Sequence, residues 1–174
     1  ATPPLGILDG IAGYNTGGDH VYNEMYINDG TGVVTTPLDG GMITVIEDAP
    51  LTAGSTDGSG CITAAISTGL FTIAKSCGAG RVTIEACLSN VHAGNTAKTH
   101  NVVFAKNGTA LTDAPQLLKI EPIDAGVQGN MGCIQTVQAA VLDDTFGVYF
   151  KTTGATAEAA TTRQAVIRIL KIRQ

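Results

Sequence analysis

Apolar and polar residues alternate with period two through most of the chain after residue 61. In "GRVTIEACLSNVHA" (80–93), Val82, Ile84, Ala86 and Leu88 share one side, and Thr83 and Glu85 the other. In "TFGVYFKTT" (145–153), Phe146, Val148 and Phe150 share a side. "CITAAIS", "LFTIAKS", "THNVVFAK", "PQLLKIEP", "MGCIQTVQAAVL" and "RQAVIRILKIR" are similar short runs, rich in β-branched residues and separated by Gly, Asn, Asp or Pro. Such alternation between turn residues is the mark of half-buried strands. No stretch sustains the i, i+3, i+4, i+7 spacing of a globular helix. The Ala-rich "TGATAEAATTRQA" (153–165) lies between strong strands and carries many threonines, so it reads as a long loop or an edge strand. About eight short antiparallel strands within residues 61–174 predict an all-β, two-sheet sandwich.

The first 60 residues read differently. They hold 12 of the 22 glycines and three of the four tyrosines, Tyr14, Tyr22 and Tyr26. One island alternates, "HVYNEMYI" (20–27), and "MITVIED" (42–48) is a short strand candidate. The remainder predicts an extended, irregular amino-terminal arm over residues 1–60, ahead of a β-sandwich domain over 61–174. A long irregular segment attached to a compact domain is uncommon unless it is functional. With tyrosine and methionine but no basic residue, it reads as contact surface.

Charge sharpens that division. Residues 1–60 carry eight acids and no Lys or Arg, whereas the rest carries all ten basic residues and seven acids, so −8 and +3 make the net −5. Arg163, Arg168, Lys171 and Arg173 crowd the final strand. The acidic segment is expected to lie against a basic surface, on a partner or on the terminal strand of a neighbouring copy. Four basic residues on one strand, without interleaved aromatics, are too thin a footprint for nucleic acid. Charged residues make up only 14% of the chain, which suggests that much of its surface is covered by identical subunits or by a larger assembly. No apolar run reaches the ~18 residues of a membrane span. The chain opens Ala-Thr-Pro-Pro with no charged-then-apolar leader, so a nearly complete, cytosolically made protein is expected. Cys61, Cys77, Cys87 and Cys133 form no CxxC pair. Three disulfide connectivities are open to them, and without a leader, buried free thiols are expected.

Candidate chemistry is sparse. His20, His92 and His100 are the three histidines, and there is no GxSxG elbow and no phosphate-binding glycine loop. A pair at His92 and His100 lacks a third ligand for a metal. Asp143-Asp144 sits where a strand-to-strand turn needs polar residues, which outweighs paired-carboxylate chemistry. Asn107-Gly108 fits the primed turn of a two-residue hairpin, since both positions need φ > 0; the same residues spell a glycosylation sequon that the turn explains without a glycan. No catalytic residue, cofactor or metal is expected, and no enzyme activity.

The strand string "LFTIAKSCGAGRVTIEACLSNV", "VVFAKNGTAL" and "VLDDTFGVYFKTT" resembles the jelly roll of tumour necrosis factor and of complement globular heads. Phe71, Gly80, Val82 and Ile84 match one family motif, with Arg81 where the family has Tyr. Asp144, Phe146, Val148 and Phe150 match a second; the closing Phe-Ser-Gly strand is replaced by "AVIRILKI". The resemblance covers roughly residues 61–172 and extends to bacteriophage capsid decoration (cement) proteins and head-fibre subunits. It implies a homotrimer on the capsid exterior, made in the host cytoplasm. Its partners would be identical subunits and a major capsid protein, with no nucleic acid, membrane or small-molecule substrate. Tyr14, Tyr22, Met25 and Tyr26, with Asp19, Glu24 and Asp29, would be the partner contacts. Phe146, Val148, Tyr149 and Phe150 would form the core or the trimer interface. The competing expectation is a receptor- or glycan-binding fibre head.

Overall fold

The structure is a computed structural model. It describes residues 20–35, 42–44, 52–56, 58–74, 79–92, 99–111, 118–120, 128–153 and 160–172, some of them as backbone alone. Twelve strands are described: β1 (His20–Thr35), β2 (Met42–Thr44), β3 (Thr52–Thr56), β4 (Ile62–Ala65), β5 (Leu70–Ile73), β6 (Gly80–His92), β7 (Thr99–Lys106), β8 (Thr109–Ala110), β9 (Leu118–Ile120), β10 (Gln128–Ala140), β11 (Thr145–Thr153) and β12 (Ala160–Ile172). Five of them form one antiparallel sheet in the order β10-β6-β12-β1-β3. The others form a second sheet, β4-β5-β11-β7-β8, with β2 on β11 and β9 on β7. The chain passes back and forth between the two sheets, the topology of a jelly-roll sandwich.

The alternation read from sequence decides which side chains meet between the sheets. Val82, Ile84, Ala86 and Leu88 of β6 face inward with Ala165, Ile167 and Ile169 of β12, against Phe71, Phe104, Phe146 and Val148 of the second sheet. All are essentially without solvent exposure. Burying a phenylalanine stabilises by roughly 2–3 kcal/mol, so Phe71, Phe104 and Phe146 dominate this layer. Asn23 adds a polar tie across the sandwich, its Nδ2 donating to the Ile62 carbonyl at 2.8 Å.

The boundary expected at residue 60 is corrected. β1, β2 and β3 already belong to the two sheets, and β1 lies between β12 and β3, paired with β12 over most of its length. Val21, Met25 and Ile27 are core residues. Glycine and acid content made this stretch look like an arm, but its odd-numbered positions carry the sheet's inward face. Residues 1–19 lie outside the described residues. The Ala-rich stretch is likewise partly regular, because residues 160–165 open β12, an interior strand.

β3 meets β1 through a bulge, the register shifting between Asn23↔Thr56 and Met25↔Ala53. Gly54 sits in that bulge, and a Cβ there would come within 2.8 Å of both the Glu24 Cβ and its carbonyl oxygen. Backbone cannot yield as a flexible side chain can. Gly54→Ala is therefore expected to lower stability by about 1–3 kcal/mol, read as a fall in the urea midpoint at unchanged slope.

The turn expected at Asn107-Gly108 is present. Lys106 pairs with Thr109, leaving two loop residues at φ 50° and 74°. The turn expected at Asp143-Asp144 also forms, with Asp143 at φ 66°. Asp144 is buried and joins the two turns. Its Oδ2 accepts from the Val141 N–H at 2.7 Å and lies 2.7 Å from Lys106 Nζ, while its Oδ1 accepts from Asn107 Nδ2 at 2.9 Å. Asn107 in turn bonds both ways with the Thr145 backbone, at 2.8 Å each. Burial alone would raise the Asp144 pKa; the bonds from Lys106, Val141 and Asn107, with the Lys106 charge, outweigh it and hold the carboxyl below its ordinary value.

The expectation of free thiols is overturned. Cys87 and Cys133, directly opposite on β6 and β10, are joined as a disulfide, and Cys61 is also disulfide-bonded. Strand register brings the first pair together: antiparallel neighbours facing each other on one sheet side place their sulfurs within bonding reach.

Candidate functional site

The outward side of the five-stranded sheet collects most of the contact candidates that the described residues contain. Register lines its side chains into three rows. Cys133, Cys87, Val166 and Tyr26 form one; Gln135, Glu85, Arg168 and Glu24 the next; Val137, Thr83, Leu170 and Tyr22 the third. A charged row thus lies between two rows dominated by apolar and aromatic groups. Val137 is 50% exposed and Val166 41%, large apolar side chains held against water on a rigid sheet.

The charged row carries an ion pair between Arg168 and Glu24. Arg168 Nε and Nη2 both donate to Glu24 Oε2, at 3.0 and 2.6 Å. Those bonds, with the charges of Glu24 and Glu85 beside it, raise the Arg168 pKa despite partial burial. The acidic first third and the basic last strand therefore do meet, but within one chain, across β1 and β12. A partner's basic surface is not needed to neutralise Glu24.

Above this row lies a shallow groove of ≈ 400 Å³, lined among others by Glu24, Tyr26, Gln164, Val166 and the Cys87–Cys133 bridge. It borders a transverse seam. β1 breaks register between Asn28 and Val33, β12 between Thr162 and Gln164, and β10 between Gln128 and Met131. Bulges on neighbouring strands at one level bend a sheet and increase its twist, which opens the face beside them.

Several expected site residues fall elsewhere. Met25 is fully buried in the core and is no partner anchor; as an odd-numbered residue of β1 it points inward, unlike Tyr22, Glu24 and Tyr26. Lys171 is 2% exposed on the inward side of β12 and is no surface contact either. Phe146 and Val148 are core and cannot meet another subunit, whereas Tyr149 lies half-buried on the opposite side of β11, where burial raises its pKa. Tyr14, Asp19 and Arg173 lie outside the described residues, and so do the side chains of Asp29, Phe150 and Arg163. The Cys87–Cys133 bridge, Val137 and Val166 were missed; period-two parity on β6, β10 and β12 could have placed them on one face. Among the described residues no group of three or more His, Cys, Asp or Glu side chains could hold a metal, and no helix is long and apolar enough to cross a membrane.

No protein-family profile and no curated protein matches the chain. Solved structures similar to it include murine APRIL, with a TM-score of 0.49 at 9% identity over 87% of this chain and 99% of that one. Eiger TNF from S. frugiperda follows with a TM-score of 0.48 and 11% identity over 90% and 94%. Pika GITRL has a TM-score of 0.42 and 12% identity over 88% and 95%. At these levels the likeness assigns no activity, and the jelly-roll description rests on the strand order and register given above.

Proposed function

We propose that the protein is a trimeric capsid decoration subunit, a structural protein that clamps neighbouring shell subunits from outside. The observation that carries the self-association is the outward face of the five-stranded sheet, where Tyr22, Tyr26, Val166 and Leu170 flank the Arg168–Glu24 pair. Tyrosine and arginine at the centre of an apolar patch are the residue types that dominate interface energetics. A chain with 14% charged residues is also poorly suited to meeting water on every side. Clamping needs no reactive centre: three weak protomer contacts linked in one trimer gain avidity through effective concentration.

Size-exclusion with light scattering tests the trimer. The free protein should have a mass that is a multiple of three 17.7 kDa chains, and Val166→Asp, which puts a charge at the centre of the face, should lower it by a factor of three. An unchanged mass for that variant removes this face from the interface. Electron microscopy of particles with and without the protein tests the decoration itself, through density on the shell exterior. The groove beside Tyr26 favours a second reading, a glycan-binding fibre head, in which Tyr26→Ala abolishes sugar binding with the mass unchanged.

A further inference from the structure

The edges of the two sheets are unequal. At the second sheet's margins, β4, β8 and β9 have four, two and three residues, and β3 at one edge of the first sheet has five. β10, at the other edge, has thirteen. Short edges protect a sheet from pairing with other chains, as do charge, proline and bulges along a long one. From Gln128 to Leu142 the chain contains no charged residue and no proline. The single register break is near the start, so residues 131–140 run unbroken against β6. Among the described residues, no strand pairs with the outer side of β10.

A second observation converges on the same place. Of the five large apolar side chains exposed among the described residues, Val137, Val141 and Leu142 lie within six residues at the end of this strand. The strand is also held firmly in place. Ile134, Thr136 and Ala140 are buried beneath it, and the Cys87–Cys133 bridge ties it to β6. The Asp144 bonds fix the turn that presents Val141 and Leu142. It is a pre-organised template whose outer side pairs with no strand among the described residues; near its end the Ala139 carbonyl accepts from Lys106 Nζ at 3.0 Å.

We propose that β10 pairs edge to edge with β10 of a second copy, antiparallel about a two-fold axis near Thr136, so that two five-stranded sheets join into one of ten. Charge selects this occupant. A partner strand bearing charges finds no charged residue within β10 to complement it, whereas self-pairing sets no like-charged strand residues opposite each other. An axis through a residue is required, because opposed side chains must lie on the same face. At Thr136 it sets Val137 against Gln135 of the second copy. A two-fold contact of this kind uses one surface twice and closes on itself. It is separate from the three-fold contact proposed above, which uses the sheet's face, and it joins copies pairwise with or without that contact.

The test uses the full chain with Gln135→Lys and Val137→Lys, both exposed positions on the outward side, and Val166→Lys as a control two strands inward. The expected result is a twofold lower mass by light scattering for each β10 variant, with unchanged circular dichroism and melting temperature. Amide exchange over 131–140 should accelerate at least tenfold relative to the wild type. Equal masses and equal exchange for wild type and β10 variants overturn the pairing, as does a halving produced by Val166→Lys alone. Loss of the face contact lowers the mass by a factor of three, so either proposal can fail while the other stands.

Discussion

Asp144→Ala is expected to be among the most destabilising single substitutions outside the phenylalanine core, costing about 3 kcal/mol. The substitution leaves Lys106 Nζ, the Val141 N–H and the Asn107 amide without the carboxylate that now accepts from all three. In a chain of this length that corresponds to a melting temperature roughly 10 °C lower. The same carboxylate sets a pH dependence. Its folded pKa lies below the ordinary value, so its contribution is complete above the unfolded carboxylate pKa of about 4. That contribution is lost as the pH falls from there through the folded value. Urea midpoints measured from pH 6 downward should fall steeply below about pH 4 in the wild type and more gently in Asp144→Asn. Parallel curves for the two proteins would show that the group's titration is not linked to folding.

The second large effect concerns the bridge between β6 and β10. Cys87 and Cys133 are 46 residues apart in sequence, and closing a loop of that length restricts the unfolded chain by about 4 kcal/mol on the chain-entropy estimate. The Cys87→Ala, Cys133→Ala double variant should therefore melt roughly 10 °C lower, and the wild type in dithiothreitol should approach it. A melting temperature insensitive both to reductant and to the double substitution would mean that the bond constrains neither state. The effect is expected in global stability and in the order of β10, the strand whose free edge the two-fold pairing uses.

Much of the architecture was legible from pattern alone. The two-residue hairpin at Asn107-Gly108 follows from backbone sterics, since few residues tolerate φ > 0 at both positions. The turn at Asp143-Asp144 and the inward sets of β6, β11 and β12 follow from local chemistry and a two-residue repeat. β1 shows where composition misled. Gly, Asp and Tyr gave residues 20–35 the look of a contact arm, although Val21, Met25 and Ile27 already carried the repeat of a half-buried strand. Lys171 shows the same conflict: its side chain suggested a surface, and its parity on β12 placed it inside.

Strands, turn types and the sets of alternate residues that share a side could all be read locally. Those are decided by torsional preferences and by the strand repeat, neither of which needs a distant partner. Which strands became neighbours, and in what register, was set when the two sheets closed on each other. That step joined Cys87 to Cys133, set Glu24 against Arg168 from the far end of the chain, and left the thirteen-residue β10 last in the strand order among the described residues. Such pairings depend on how two sheets close over one core, a cooperative outcome of contacts distant in sequence that no short window of residues encodes.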